Sequence, residues 1–559
     1  MLDRRRFLTL ATTGAAAPAG LLFGEEVKGD GITAQDLAAA GKIVGLEFTE
    51  EERKLMLEDL QEQREDYRKL REVHLDNSVP PALRFDPDPE SAPAAPVQAG
   101  PFRWSEPAPG AVPADLEELA FWPVARLAPL VREGTVRSVD LTRMYLARLK
   151  RLDPKILAVV TSTEERALEA AERADREIAA GTYRGPLHGI PWGAKDLLAT
   201  RGYRTTWGSV PFKEQVIDED ATVVERLDRA GAVLVAKLSL GELAMGDVWF
   251  GGMTRNPWNL EQGSSGSSAG SAAATAAGGV GFTIGSETLG SIVSPCTRTG
   301  ATGLRPTFGR VPRTGAMALC WSLDKLGPIC RSVEDCAAVF HSIHGADGRD
   351  ATAVDRPFAW NPDLDVRKLR VGYVKAAFEA KPQEGREEWH AFDLATLEAL
   401  RKLGVDLKPI ELPSLPVGPL ILIITAESAA AFDELTRSGQ DDALVRQTRD
   451  AWPNSFRAGQ TIPAVAYIQA NRVRTLLMRE MEKITADLDA YVCPTYGGGN
   501  LLLTNLTGHP AVVVPNGFRK DGTPTSITFT GRLWGEAAVL ALAKAYQDAT
   551  GFHLKTPKL

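Results

Sequence analysis

Gly263-Ser264-Ser265-Gly266-Ser267-Ser268-Ala269-Gly270-Ser271, with Gly285-Ser286-Glu287-Thr288-Leu289-Gly290-Ser291-Ile292 downstream, decides how this chain is read. A Gly/Ser run alone is a flexible linker. This one leads into Ala272-Ala273-Ala274-Thr275-Ala276-Ala277, which is strong helix-forming sequence. Val280-Gly281-Phe282-Thr283-Ile284 follows and reads as a buried strand. Small residues between such elements mean close backbone approach and room for a bound molecule. Ser267 and Ser291 lie on the two turns and can meet in space.

Outward from this centre, strand and helix signals alternate. Val233-Leu234-Val235-Ala236 and Arg370-Val371-Gly372-Tyr373-Val374 read as strands, and Ala511-Val512-Val513-Val514 as a buried strand ending at Pro515. Ser138 is placed to cap a helix that buries Leu141, Tyr145, Leu149 and Leu152. Ser162 to Glu165 opens a more charged helix. The alternation predicts an α/β fold.

The two turns resemble the signature of the amidase signature family of serine hydrolases. The resemblance extends upstream to Gly185-Pro186-Leu187-His188-Gly189-Ile190-Pro191, to Ala194-Lys195-Asp196 and to Thr254-Arg255-Asn256-Pro257-Trp258-Asn259. Downstream it takes in Gly303-Leu304-Arg305-Pro306-Thr307, Ser322-Leu323-Asp324, Gly327-Pro328, Asn505-Leu506-Thr507-Gly508-His509-Pro510 and Gly531-Arg532. These ordered blocks cover residues 116 to 550 or so. The resemblance implies a large mixed β-sheet with helices on both faces. It also implies a Ser-Ser-Lys triad: Ser291 as nucleophile, Ser267, after a cis peptide bond from Gly266, as the bridging serine, and Lys195 as the base. The N–H groups of Thr288, Leu289, Gly290 and Ser291 fall where the family places its oxyanion hole.

The chemistry explains the residue types. A serine hydroxyl is a weak nucleophile and must lose its proton as it attacks an amide. A lysine removes that proton only when neutral, so its pKa must fall about 3 units from about 10.4. Burial supplies such a shift, and the flank Ile190-Pro191-Trp192-Gly193-Ala194 is mostly apolar. Glycine-rich turns present N–H groups to a developing oxyanion without obstruction.

Three positions depart from the family pattern. Glu287 stands for an aspartate. Leu289 stands for a glycine and disfavours positive φ. Val293 stands for an arginine, which removes a cation and its carboxylate pairing. A further motif, Gly266-Ser267-Ser268-Ala269-Gly270, fits G-x-S-x-G and would make Ser268 a nucleophile, but the preceding Asn259-Leu260-Glu261-Gln262-Gly263 is not the hydrophobic strand that motif needs. His341 and His344 have near-helical spacing without a third ligand and read as solvated helix-end residues. The five cysteines include no C-x-x-C pair, and Cys296 reads as a small packed residue.

Length and composition bound the rest. The chain has 559 residues, 44% of them hydrophobic, and a net charge of −8. It has no basic patch for nucleic acid and no apolar run of about 20 residues for a membrane span. Asp3-Arg4-Arg5-Arg6-Phe7-Leu8 before an Ala-rich stretch resembles a twin-arginine signal, so residues 1–24 predict export to the periplasm or beyond. Residues 25–78 read as a helical extension with a capping box at Thr49 and Glu52 and a face of Met56, Leu60, Tyr67 and Leu70. Residues 79–115 are a Pro/Ala-rich connector, and 116–559 the main domain.

The expected function is hydrolysis of a small-molecule or peptide amide, with no cofactor or metal and with a homo-oligomer allowed. Substrate choice is expected within residues 375–500, with Tyr496-Gly497-Gly498-Gly499-Asn500 either a flexible wall of the cleft or a plain loop. Two other readings share the scaffold. One is the glutamine-hydrolysing subunit of a tRNA-dependent amidotransferase, which needs partner subunits. The other is a non-catalytic binding protein.

Overall fold

The computed structural model describes residues 31–73, 83, 102–105 and 112–559. The export-type start at 1–24 and most of the 79–115 connector lie outside the described residues. The chain divides into two compact units. Residues up to 83 group with 413–481, and residues 102–105 and 112–412 group with 482–559.

The larger unit is built on one sheet of 11 strands. In chain order these are β1 (Val159–Ser162), β2 (Pro191–Lys195), β3 (Val233–Leu238), β4 (Phe282–Glu287), β5 (Thr302–Arg305) and β6 (Lys325–Cys330). Then come β7 (Val371–Val374), β8 (Leu407–Ile410), β9 (Ala490–Pro494), β10 (Ala511–Phe518) and β11 (Pro524–Gly531). Their spatial order is β1-β3-β2-β4-β6-β5-β10-β11-β9-β7-β8. β2 runs parallel to β3 and β4, and β7 parallel to β8 and β9. The remaining neighbours are antiparallel, so the sheet is mixed.

β2, β3, β4, β6, β9 and β11 are buried at every residue. Successive side chains on a strand face opposite ways, so both faces of the sheet are covered. Helices do the covering. Leu149 and Leu152 of helix Ser138–Ile156, and Ala170 and Ala171 of helix Glu164–Ala179, pack with Val233 and Val235 of β3. Helix Ala269–Ala276 contains only Ala, Gly, Ser and Thr and is wholly buried. Such small side chains let it lie close to the sheet and carry the first serine turn inward.

Local details differ from the expectations. Ser138 does not cap its helix: its hydroxyl donates to the Gly189 carbonyl (2.8 Å), and the Asp175 carboxylate takes the N–H groups of Ser138 and Val139. The charged helix begins at Glu164, and Thr163 before it donates to the Leu234 carbonyl. β10 continues through Pro515 to Phe518, with a register shift between Pro515 and Gly517. A bulge admits a residue that lacks the ladder N–H.

In the smaller unit the Thr49–Glu52 capping box forms and starts helix Glu50–Arg71. Met56 and Leu60 pack with Leu37, Phe48 and Ala458. Arg457, nearly buried, lies 2.8 Å from Glu52, 2.9 Å from Asp441 and 2.7 Å from Asp442. Arg449 pairs with Glu58, Asp59 and Glu62 of the same helix. The helical extension therefore finds its partner in segment 413–481. No helix among the described residues is long and apolar enough to cross a membrane.

Candidate active site

Lys195 ends β2, and β2 is flanked by β3 and β4. That position removes the side chain from solvent completely, at 0% exposure. Its Nζ lies 2.8 Å from Ser267 Oγ, 2.8 Å from Ser286 Oγ and 3.1 Å from Ser268 Oγ. Three hydroxyls and no carboxylate thus surround the amine. Burial pulls its pKa from 10.5 to about 7, and the negative charges of Asp324 and Glu287 oppose the fall. Lys237 on the neighbouring β3 provides the contrast. It is equally buried but sits 2.9 Å from the Asp196 carboxylate.

The first serine turn is shaped by close backbone approach. The Gly266–Ser267 peptide bond is cis. A Cβ on Gly266 would stand 1.8 Å from the Gly246 carbonyl oxygen, so only glycine fits there. Ser268 holds the turn to β4: its hydroxyl donates to the Ser286 carbonyl and accepts from the Ser286 N–H, each at 3.1 Å. Its N–H donates to the Ser291 carbonyl at 3.1 Å, which ties the two serine turns together. The Ser268 hydroxyl is fully engaged in this clamp, unlike an exposed elbow nucleophile.

The second turn leaves β4 and enters helix Val293–Thr299. The left-handed position in it is Gly290, at φ +80°. Leu289 is absent from the positive-φ residues, so its side chain strains nothing in the turn. Among the described residues, the N–H groups of Leu289, Gly290 and Ser291 have no hydrogen-bond acceptor. Ser291 is 7% exposed, whereas Ser267 is 1% exposed, so the outer of the two is Ser291. No hydrogen bond joins their hydroxyls among the described residues.

Glu287 anchors this turn. One carboxylate oxygen accepts the N–H groups of Ile292 (2.8 Å) and Val293 (2.9 Å). The other accepts from Arg305 (2.8 Å) and Asn505 (2.8 Å). Burial would raise the Glu287 pKa, but the Arg305 charge and these donors bring it down to about 2. This corrects the expectation that valine at 293 leaves the carboxylate without a cation. Arg305, at the end of β5, supplies it.

Beside the lysine shell lies a cavity of about 290 Å³ that meets it through Ser286 and Thr288. Lys195, Ser267 and Ser291 do not line it. Its apolar walls include Leu197, Met317, Leu319, Trp321 and Leu326. Thr288 donates its hydroxyl to Asp324 at 2.5 Å, and burial raises the Asp324 pKa. The lining falls within residues 197–350, upstream of the 375–500 region expected to hold substrate choice. Ser268 and Ser286 carry no spacing signal that marks them as neighbours of the lysine. Only the folded sheet shows it.

Other chemistry-bearing residues lie elsewhere. His341 and His344 are half-buried, not solvated: the His341 ring lies tilted 4.4 Å from that of Phe102, and His344 lies 5.9 Å from Phe358. Burial pulls His344 down to about 3. The five cysteines are buried, and no disulfide joins them. Among the described residues no group of three His, Cys, Asp or Glu is placed to hold a metal ion.

The family model described as Amidase matches residues 140–501. A glutamyl-tRNA(Gln) amidotransferase subunit from Roseiflexus sp. (strain RS-1) is 36% identical over 474 residues, covering 76% of this chain and 96% of that protein. Its namesake from Geobacter metallireducens is 37% identical over 470 residues, covering 76% and 96%. Among solved structures, the native peptide amidase from Stenotrophomonas maltophilia superimposes with a TM-score of 0.69 at 29% identity, covering 78% of this chain and 98% of that one. An amidase family protein from Bacillus anthracis str. Ames gives a TM-score of 0.70 at 25% identity, covering 79% and 94%.

Proposed function

This chain belongs to the amidase signature family, a family of carbon–nitrogen hydrolases, and from that premise we propose that it cleaves a small-molecule or peptide amide through an acyl-enzyme on Ser291. The observation that carries the reading is Lys195: wholly buried, ringed by hydroxyls, and half neutral near pH 7. The neutral amine takes the Ser267 proton as Ser267 takes the Ser291 proton, and Ser291 Oγ attacks the amide carbon. The turn Thr288–Ser291 presents its N–H groups to the oxyanion. The proton returns along the same path to the departing amine, and water then releases the acid. Substrate binding brings the Ser291 hydroxyl within reach of Ser267, since catalytic hydrogen bonds commonly tighten only in the complex.

A serine-directed fluorophosphonate probe tests this. Labelling is expected in the native protein, absent in Ser291→Ala and sharply reduced in Lys195→Ala. A folded native protein that takes no label would turn the reading toward a binding protein. A second reading, a glutamine-hydrolysing component of an amidotransferase, is favoured by the relatives that carry that name. Glutaminase activity that appears only with partner subunits would select it. The twin-arginine-like start at Arg4-Arg5-Arg6 supports an exported enzyme instead. A reporter fused to residues 1–30 that stays in the cytoplasm would remove that support.

A further inference from the structure

The cavity beside Ser286 and Thr288 has apolar walls of Leu197, Met317, Leu319, Trp321 and Leu326, and the charged side chains that line it already have hydrogen-bond partners. Arg313 lies 3.2 Å from Asp350 and donates to the Trp321 carbonyl (2.6 Å) and the Thr352 hydroxyl (2.8 Å). Arg349 donates to the Thr222 hydroxyl (2.7 Å) and to Glu225 (3.1 Å). Asp324 accepts from the Thr288 hydroxyl and from the N–H groups of Leu319 and Cys320. A substrate group with its own charge would have to give up its water on entering and find these groups already bonded to others, which is unfavourable. An apolar group displaces only solvent from such walls.

We propose that this cavity holds the acyl portion of the substrate, and that the acyl group it takes is uncharged and apolar, an aryl or branched alkyl group and not the zwitterionic end of glutamine. This deepens the amidase reading and rests on it for the reaction. The acyl assignment follows from the two-step chemistry. The amine leaves and water takes its place, so the amine side must be wet. The acyl group stays through both steps, and an apolar wall suits the part that stays. At about 290 Å³ the space is at the small end of ligand pockets, fit for a compact acyl group.

The test uses the full-length protein with the anilides of acetate, butyrate, benzoate and succinate, and with L-glutamine. The butyryl and benzoyl anilides are expected to exceed the acetyl anilide in kcat/KM by at least tenfold, since each buried methylene brings up to about fourfold. The succinyl anilide and glutamine are expected below acetyl. Trp321→Ala, at a half-exposed position, and Met317→Glu are expected to lower the benzoyl-to-acetyl ratio at least threefold. A flat series, or one led by succinyl or glutamine, overturns the proposal. Binding to Ser291→Ala, which has no turnover, is read separately by calorimetry. Benzamide is expected to bind at least tenfold more tightly than acetamide or L-glutamine, and equal or reversed affinities overturn the pocket assignment. Selective benzamide binding by a protein that cleaves no anilide and takes no fluorophosphonate retires the acyl-enzyme reading but keeps the apolar pocket. Cleavage without acyl preference does the reverse.

Discussion

Lys195 shows how one side chain is tuned by what is withheld from it. Its folded pKa of about 7 lies below the unfolded 10.5, so the unfolded chain holds the proton more tightly between those values. The penalty on folding is fully present below pH 7 and fades as pH rises toward 10.5. At pH 7 it amounts to about 4 kcal/mol. Lys195→Met is therefore expected to unfold at a higher temperature than the native protein at pH 6, with the gap shrinking at pH 9, while activity is lost. A gap that does not narrow with pH would show the amine to be charged in place. In the native enzyme kcat/KM should climb with pH through about 7 as the amine becomes neutral. Glu287 titrates in the opposite sense. Its folded pKa of about 2 lies below 4.5, so its stabilisation is present above pH 4.5 and is lost as pH falls toward 2. Glu287→Gln leaves Arg305 buried without its carboxylate and is expected to cost about 3–5 kcal/mol at neutral pH in denaturant unfolding, and much less at pH 3. The serines and lysine are legible in the sequence because each lies in a distinctive short motif. The Glu287–Arg305 pair is not, because the two residues meet only where β4 and β5 are placed by β6 between them.

Among the elements, the turn between β4 and helix Val293–Thr299 carries the most constraint. Gly290 combines φ +80° with a site where a Cβ would come 3.0 Å from Ser294 Oγ and 3.3 Å from Leu501. Gly290→Ala is expected to cost about 1–3 kcal/mol in stability. By tilting the neighbouring N–H groups it is also expected to lower kcat about 100-fold, the scale of losing one oxyanion donor. An alanine variant with native kcat would show that this turn does not face the reacting carbonyl. Most strands are readable as apolar runs, because burial on both faces makes a strand continuously hydrophobic. Pro515 reads as a terminus because the bulge that accommodates it leaves no mark in composition. The walls of the acyl-sized cavity are hidden too. Residues 313–326 follow neither a helical nor a strand period, so nothing in them announces a shared surface.

At the scale of the whole molecule, the grouping of residues 31–73 with 413–481 has no sequence signal at all, since it joins segments far apart in the chain. Arg457 joins them from a nearly buried position, with Glu52 on one side and Asp441 and Asp442 on the other. Arg457→Met leaves the buried Asp441 carboxylate without its cation and is expected to destabilise this unit by about 3–5 kcal/mol. Hydrogen exchange should register the loss in helices Glu50–Arg71 and Trp452–Gly459. Unchanged protection there would mean that the apolar contacts of Met56, Leu60 and Ala458 suffice. The same separation has a consequence on the ribosome. Asp59 and its partner Arg449 are 390 residues apart. At about 5–20 residues per second, an emerging Met56 and Leu60, already beside Leu37 and Phe48, wait roughly 20–80 s before the 413–481 segment that brings Ala458 is made. For that interval the nascent chain displays a half-covered greasy stripe, which makes it a natural client for a holding chaperone.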